Sequence, residues 1–402
     1  MKICLVAPEL LPVPPIRGGA LETWVESVAP ELARLGAEVH VLSVSNPMLQ
    51  PQTKRIGNGS VTYHYIVIPA ILQRYPLTVL LRGYDYYRRV GALVRRLQPD
   101  IVQHLNRPLG LLVTQRRAGG RSRHLLSLQN IAYGWCFLGK ELDRLWFRQG
   151  FAACDRVLAV SDFVRAHVRT RVPSYDPSRL FTLHNGVDTD AFIPNGQADH
   201  RTALGLSKDP VILFTGRIDP RKGVHVLLEV FRRVQRQIPS AQLVIIGPKG
   251  SYWDQRATPY ARQMEQEISQ LSNVHLTGPV YDRARLAQLY AMADVACLPF
   301  VSPEGFGLTS IEMQSCGVPT VTMASGGVPE TVRNGQTGFV VAPHDINAMT
   351  EQVLLLLRDA ALRRQMGQAA RQFMEERFAW PVIARQLLHH YTEVLALTCA
   401  NR

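Results

Sequence analysis

Residues 211–246 read VILFTGRIDPRKGVHVLLEVFRRVQRQIPSAQLVII, and the way this run divides decides the fold. Val211–Thr215 is a short, β-branched apolar run of the strand type. Gly216–Gly223 is a polar loop with a glycine at each end, and Val224–Gln237 carries apolar residues at helical period. Pro239 stops that helix and Gln242–Ile246 forms a second strand, which completes a parallel βαβ unit.

Working outward, the chain opens on the same layout. Strand Lys2–Ala7 leads through a Pro/Gly loop with Gly18-Gly19 to helix Leu21–Leu35, Gly36 and strand Glu38–Ser43. The stripe Leu21, Trp24, Val25, Val28, Leu32 and Leu35 marks a helix laid on a sheet. Further strands are expected at Ile101–Gln103, Leu125–Leu128, Val157–Val160, Val274–Thr277, Val295–Leu298 and Thr320–Met323. The fold class is therefore α/β with two doubly wound, Rossmann-like domains. The turn-forming His184-Asn185-Gly186-Val187-Asp188 and the polar stretch Asn195–His200 separate them. We divide the chain into 1–190, 191–381 and a last amphipathic helix, 382–402, after a break at Trp380-Pro381.

Composition narrows the class. With 402 residues, 46% hydrophobic and 19% charged, the chain is neither disordered nor fibrous. Its six cysteines are scattered with no C-x-x-C pair, which reads as reduced thiols and no zinc site. No apolar run reaches the ~20 residues of a membrane helix, and the N-terminal apolar run meets Glu9 too early for a secretory signal. The expectation is a cytoplasmic protein, with peripheral attachment to the inner face of a membrane left open. Net charge is +13, and residues 1–190 hold 24 basic against 14 acidic side chains, or +10 of that excess. The first half can therefore meet an anionic partner.

The stretch that points to chemistry is Glu304-Gly305-Phe306-Gly307-Leu308-Thr309-Ser310-Ile311-Glu312. It follows strand Val295–Leu298 and opens a helix near Leu308. The two glycines allow close backbone approach, and a helix N-terminus offers free N–H groups to an anion such as diphosphate. The carboxylates of Glu304 and Glu312 can each accept strong hydrogen bonds from ligand hydroxyls. Arg217 follows a strand end and Lys222 lies just before the next helix. Asp188-Thr189-Asp190 has the D-x-D spacing of some metal sites but sits in a turn-rich linker. No metal or other cofactor is expected.

Glu304-x7-Glu312 with its Gly-Phe-Gly resembles the signature of the retaining glycosyltransferases of family four, which have the GT-B fold. Further matches are Gly18-Gly19, His184-Asn185-Gly186-Val187-Asp188, Gly216-Arg217 with Lys222-Gly223, Gly326-Gly327-Val328-Pro329-Glu330, and Phe378-Ala379-Trp380. The resemblance implies two domains facing across a cleft, with the last helix returning to the first. It implies that Glu312 holds the ribose hydroxyls of a nucleotide and Glu304 the donor sugar, while Arg217 and Lys222 grip the diphosphate. Gly216, Gly305, Phe306, Gly307, Leu308 and Thr309 would line the donor, backbone near Pro279-Val280 would meet the base, and Gly18 and Gly19 would close over it. The implied reaction is front-face transfer with retention, from a nucleotide-sugar, UDP first, to a hydroxyl acceptor.

One position departs from the pattern. Relatives often carry a histidine after the strand built here by Leu125–Leu128, where this chain has Gln129. Glutamine bonds a hydroxyl but takes up no proton at neutral pH. His104, after the strand Ile101–Gln103, is an alternative occupant of that space, although a core or surface histidine is the preferred reading of it. In the first domain, Arg74–Arg96 interleaves six arginines with tyrosines and leucines, a pattern that suits either a solvated helix face or an anionic membrane surface. Rival readings are a degenerate nucleotide- or sugar-binding scaffold and a basic nucleic-acid-binding protein, for which the chain carries no recognised motif. A phosphorylase or epimerase on the same fold is a further rival.

Overall fold

The structure is a computed structural model, which describes residues 1–16, 19–69, 71, 79–130, 147–194, 201–202, 205–206, 209–250 and 256–399. Gly18 and residues 74–78 of the arginine-rich stretch lie outside them. In chain order the elements are β1 (Lys2–Val6), α1 (Ala20–Arg34), β2 (Glu38–Val44), β3 (Gln52–Ile56), β4 (Gly59–Ile66), α2 (Val79–Leu97), β5 (Ile101–Leu105), α3 (Pro108–Ala118), β6 (Arg123–Leu128), β7 (Arg156–Ala159), α4 (Asp162–Arg171) and β8 (Leu180–Thr182). There follow β9 (Val211–Thr215), α5 (Val224–Gln237), β10 (Gln242–Ile246), α6 (Pro259–Ser269), β11 (Val274–Gly278), α7 (Arg283–Ala291) and β12 (Val295–Leu298). The chain closes with α8 (Leu308–Ser315), β13 (Thr320–Met323), β14 (Gly338–Val341), α9 (Ile346–Arg358), α10 (Ala360–Arg377) and α11 (Trp380–Cys399).

The chain forms two compact units, Met1–Gly186 with Trp380–Arg402, and Val187–Ala379. These divisions fall earlier than the expected 190/191 and 381/382. Val187 pairs with Ala379 as a short parallel bridge and donates its N–H to the Phe378 carbonyl at 2.7 Å, so residues 187–190 are stitched to the second unit. The last helix already begins at Trp380. Pro381 sits in its first turn, where a missing N–H costs nothing.

In the first unit the sheet order is β3-β4-β2-β1-β5-β6-β7-β8, parallel throughout except for the β3–β4 hairpin. That hairpin was not anticipated. β3 is a largely exposed edge strand of polar residues and shows no apolar pattern, and β14 was likewise missed. In the second unit the order is β11-β10-β9-β12-β13-β14, all parallel. Both sheets reverse direction once, between β1 and β5 and between β9 and β12. At such a reversal the following loops part at the carboxyl edge, which is where ligands bind in open α/β sheets.

The core of the first unit includes α11. Its buried face of Trp380, Ile383, Ala384, Leu387, Tyr391 and Val394 repeats at helical spacing and packs on α1, with Trp24 and Trp380 edge to face at 6.4 Å. Burial of each large apolar side chain in this seam contributes roughly 2 kcal/mol. The Tyr391 hydroxyl donates to Gln103 Oε1 at 2.6 Å inside β5, and Arg156 reaches Glu393 at 2.5 Å while stacking on Phe181. Tyr391→Phe leaves a buried amide oxygen unpaired and is expected to cost about 1–3 kcal/mol. A lowered urea midpoint with unchanged slope is the expected reading; an unmoved midpoint would discard the role given to this bond.

Candidate functional site

In the second unit the loops after β9 and β12 meet because glycine lets backbone approach backbone. The Gly216 N–H donates to Ile246 O at 2.9 Å, and a Cβ on Gly247 would stand 2.0 Å from Gly216 O. Gly223, at φ +74°, lies where a Cβ would come within 1.9 Å of Pro299 O. The N–H groups of Val301 and Ser302 both donate to Arg221 O, at 3.1 and 3.2 Å, which ties the two loops together.

This packing places the charges. Arg221 donates through Nε and Nη2 to the two oxygens of Asp219, and those bonds are the main reason the carboxyl falls to about 2. Lys222 lies 4.7 Å over the Phe300 ring with its Nζ 2.9 Å from Glu304 Oε2. Arg221 is thus spent on Asp219 and Lys222 on Glu304, while Arg217 lies half-buried in the same loop.

Glu304 is held through its backbone. Its carbonyl accepts from Gly327 N–H at 2.8 Å, and it pairs with Gly326 as a parallel bridge. Gly326 has φ +65°, and a Cβ there would fall 2.1 Å from Glu304 O. The Gly326-Gly327 pair is therefore the rest on which the Glu304 loop lies, a role that spacing alone did not reveal.

Beyond Glu304, Phe306 turns its ring into the core against Phe378, 5.8 Å between centroids, and anchors the loop. Gly307 at φ +114° is the N-cap of α8 and supplies no capping side chain. The N–H groups of Leu308 and Thr309 thus form the positive end of the helix. Glu312 lies one turn further in, half-buried, accepting from the Tyr290 hydroxyl at 3.3 Å. Burial pushes its carboxyl up to about 7, opposed by the charge of Arg283. Arg283 rests on Phe192 at 5.2 Å, and Phe192 stacks on Tyr290 at 5.7 Å. Tyr290, Phe300 and Arg283 escaped sequence reasoning. The seven-residue spacing of Arg283 and Tyr290, which puts both on one face of α7, was the available signal.

Val280 is half-buried in the loop between β11 and α7. Asp188 accepts from the N–H groups of Asp190 and Ala191, so its carboxylate closes a turn. In the first unit, Gly19 at φ +137° caps α1. Gln129 bends back at the end of β6, its Nε2 donating to Ser127 Oγ at 2.9 Å. His104 does not stand beyond a strand end. β5 runs on to Leu105, and the imidazole is fully buried beside Tyr87 and His124, with burial keeping it well below its ordinary pKa. It is a core histidine, and the alternative that set it at a reacting centre is withdrawn.

Comparison with known proteins agrees with this layout. A family profile described as Glycosyltransferase Family 4 matches residues 18–191, and one described as Glycosyl transferases group 1 matches residues 197–373. Spore coat protein SA of Bacillus subtilis is 28% identical over 97% of this chain and 99% of its own. A GDP-mannose-dependent alpha-(1-6)-phosphatidylinositol monomannoside mannosyltransferase of Mycolicibacterium smegmatis is 30% identical over 91% of this chain and 93% of its own. Among solved structures, sucrose-phosphate synthase of Thermosynechococcus elongatus matches with TM-score 0.79 and 24% identity over 99% of this chain and 100% of its own. An Anabaena protein in complex with UDP matches with TM-score 0.74 and 18% identity over 98% of this chain and 100% of its own.

The backbone rest under Glu304 can be tested against a control. Gly335 has φ +75° but open space around it, so Gly335→Ala should cost only the left-handed strain of about 1 kcal/mol. Gly326→Ala adds a clash with backbone and should cost at least about 2 kcal/mol more. Equal unfolding midpoints for the two variants would remove the rest from the account.

Proposed function

The chain belongs to the group 1, family 4 glycosyltransferases, and from that premise we propose that its second unit binds a nucleotide-sugar, UDP-linked first, for metal-independent, retaining transfer to a hydroxyl acceptor. The enzyme class and the GT-B fold follow from the family; donor identity and stereochemistry are the proposal. One observation carries it: the loops that leave the reversal of one parallel sheet carry Arg217, Lys222 and Glu304, with Lys222 and Glu304 in contact, and the open N-terminus of α8 follows them.

In this reading the diphosphate lies between the cations and the helix end, where preorganised positive charge stabilises a leaving group without reorganisation. Glu312 accepts from the ribose hydroxyls. Glu304 accepts from a sugar hydroxyl and does not attack carbon, since its pairing with Lys222 lowers its nucleophilicity. The departing phosphate oxygen then takes the acceptor proton as the acceptor enters on the same face. The GDP-mannose dependence printed for a 30% identical relative makes GDP the second nucleotide to try.

A second reading concerns the first unit. No helix among the described residues is long and apolar enough to cross a membrane. Leu80, Leu81 and Tyr84 at the start of α2, with Val67 and Ile71 before it, nevertheless stand exposed on the half that holds most of the positive charge. Arg88 and Arg89 are paired with Asp85, and Arg82 donates inward to Glu9 O, so the apolar residues carry more of this surface than the arginines. We propose that this edge rests on anionic bilayer. Sedimentation with phosphatidylglycerol vesicles at low salt should retain the protein, and Leu81→Asp should release it. An unbound wild type ends this reading.

Calorimetric titration of UDP, GDP and ADP should give binding to one nucleotide, lost in Glu312→Ala. No binding to any of the three would overturn the donor site. Because the ionised Glu312 is the form that accepts both ribose hydroxyls, affinity should fall as pH drops through about 7, by up to tenfold per pH unit below it. Glu312→Gln should flatten that profile. An inverted anomer in the purified product would end the retaining assignment.

A further inference from the structure

A carboxylate that accepts from two hydroxyls must be ionised, and burial works against that at Glu312, pushing its carboxyl up to about 7. Two side chains of α7 work the other way. The Tyr290 hydroxyl donates to Glu312 Oε2 at 3.3 Å, and the charge of Arg283 acts on the same carboxyl. A donated hydrogen bond and a positive charge both favour the anion, so each opposes burial.

Packing holds both groups in place. The Arg283 guanidinium lies 5.2 Å from the centre of the Phe192 ring, and that ring lies 5.7 Å from Tyr290, inclined by 23°. Phe192 and Tyr290 are fully buried. The Phe192 carbonyl accepts from Ser315 Oγ and from Arg371 Nη1, each at 2.7 Å. Ser315 is the last residue of α8 and Arg371 lies on α10, so the ring wedged between Arg283 and Tyr290 is tied to the helix that carries Glu312. Burial and the nearby Glu312 raise the Tyr290 hydroxyl well above its ordinary pKa, so it stays a donor. The other groups around the pair are spent or neutral. Arg371 bonds Glu375 and Ser315, burial keeps the Cys316 thiol protonated, and Thr215 at the end of β9 brings only a hydroxyl.

We propose that Tyr290 and Arg283 are positioning residues for Glu312: they occupy one side of its carboxylate, hold it as the anion and leave its second oxygen to the ribose. The proposal rests on the nucleotide reading of Glu312 and adds the groups that let it work at neutral pH. They act through the carboxylate and touch no part of the nucleotide.

The test is calorimetric affinity on the full chain between about pH 6 and pH 9, with the best binder among UDP, GDP and ADP. Glu312→Gln supplies the baseline, because the last proton of a terminal phosphate titrates near pH 6. Tyr290→Phe keeps the buried ring and removes the donor, and Arg283→Gln removes the charge. Each should move the midpoint of the profile up by about one pH unit, which reads as about fivefold weaker binding at pH 7 and affinity within about twofold of wild type at pH 9. Arg283→Lys, which keeps the charge, should return most of the shift. Added to Glu312→Gln, Tyr290→Phe should change nothing further. Arg283 is half-buried at the start of α7, so its two variants decide the matter should Tyr290→Phe fail to fold. Affinity lost by one factor at every pH would overturn the proposal in favour of direct contact or damaged packing. Nucleotide binding with an unmoved midpoint in both variants would end this proposal alone, whereas a wild type that binds none of the three at any pH would end the donor-site reading and this proposal with it.

Discussion

Parallel strands joined by right-handed crossovers cannot keep all their helices on one face once the strand order reverses, and that constraint positions both polar clusters of this protein. At β9 and β12 the chain leaves neighbouring strands in opposite directions, and the loops that leave those strand ends are the ones carrying Arg217, Lys222 and Glu304. The same divergence at β1 and β5 frees the backbone around Glu9 and Asn106. These side chains gather because strand ends are the places where the sheet stops satisfying its own backbone.

What makes the second cluster competent is the closeness of backbone to backbone. Gly223 against Pro299, Gly247 against Gly216 and Gly326 against Glu304 are three contacts that a methyl group would prevent. They bring two loops and one helix end to one edge of the sheet. The ion pair of Lys222 with Glu304 then balances charge before any ligand arrives, while Arg221 is taken out of play by Asp219. Glu312 behaves differently: with no cation among the described residues at hydrogen-bond distance, it is governed by burial, and this explains why its carboxyl rises where Asp219 falls.

Much of this was legible in the residues. The βαβ run at 211–246 matches β9, α5 and β10 to the residue, because an apolar strand, a helix with a full apolar stripe and a proline stop leave no competing pattern. Glu304 and Glu312 were readable for the same kind of reason, since a glycine-flanked loop opening a helix is a local arrangement. The hairpin of β3 and β4 was not, because an edge strand is held by its partner's hydrogen bonds and carries little pattern of its own. For His104 the core reading held, but the residues alone left a second place open: whether a histidine ends a strand or lies inside it depends on how far the neighbouring strands extend the ladder.

Sequence alone therefore determined the alternation of strands and helices, the glycines and the charged residues at their ends, and through them the family. These are properties of neighbours along the chain, where propensity and period act directly. Tertiary structure alone decided which of those residues meet: that Gly326 supports Glu304, that Phe300 underlies Lys222, that Tyr290 reaches Glu312, that Arg107 pairs with Glu9, and that Asn106 takes the Gln129 N–H. Partners of that kind are 22 to 98 positions apart, and their meeting is set by strand order and close packing, which no local pattern encodes.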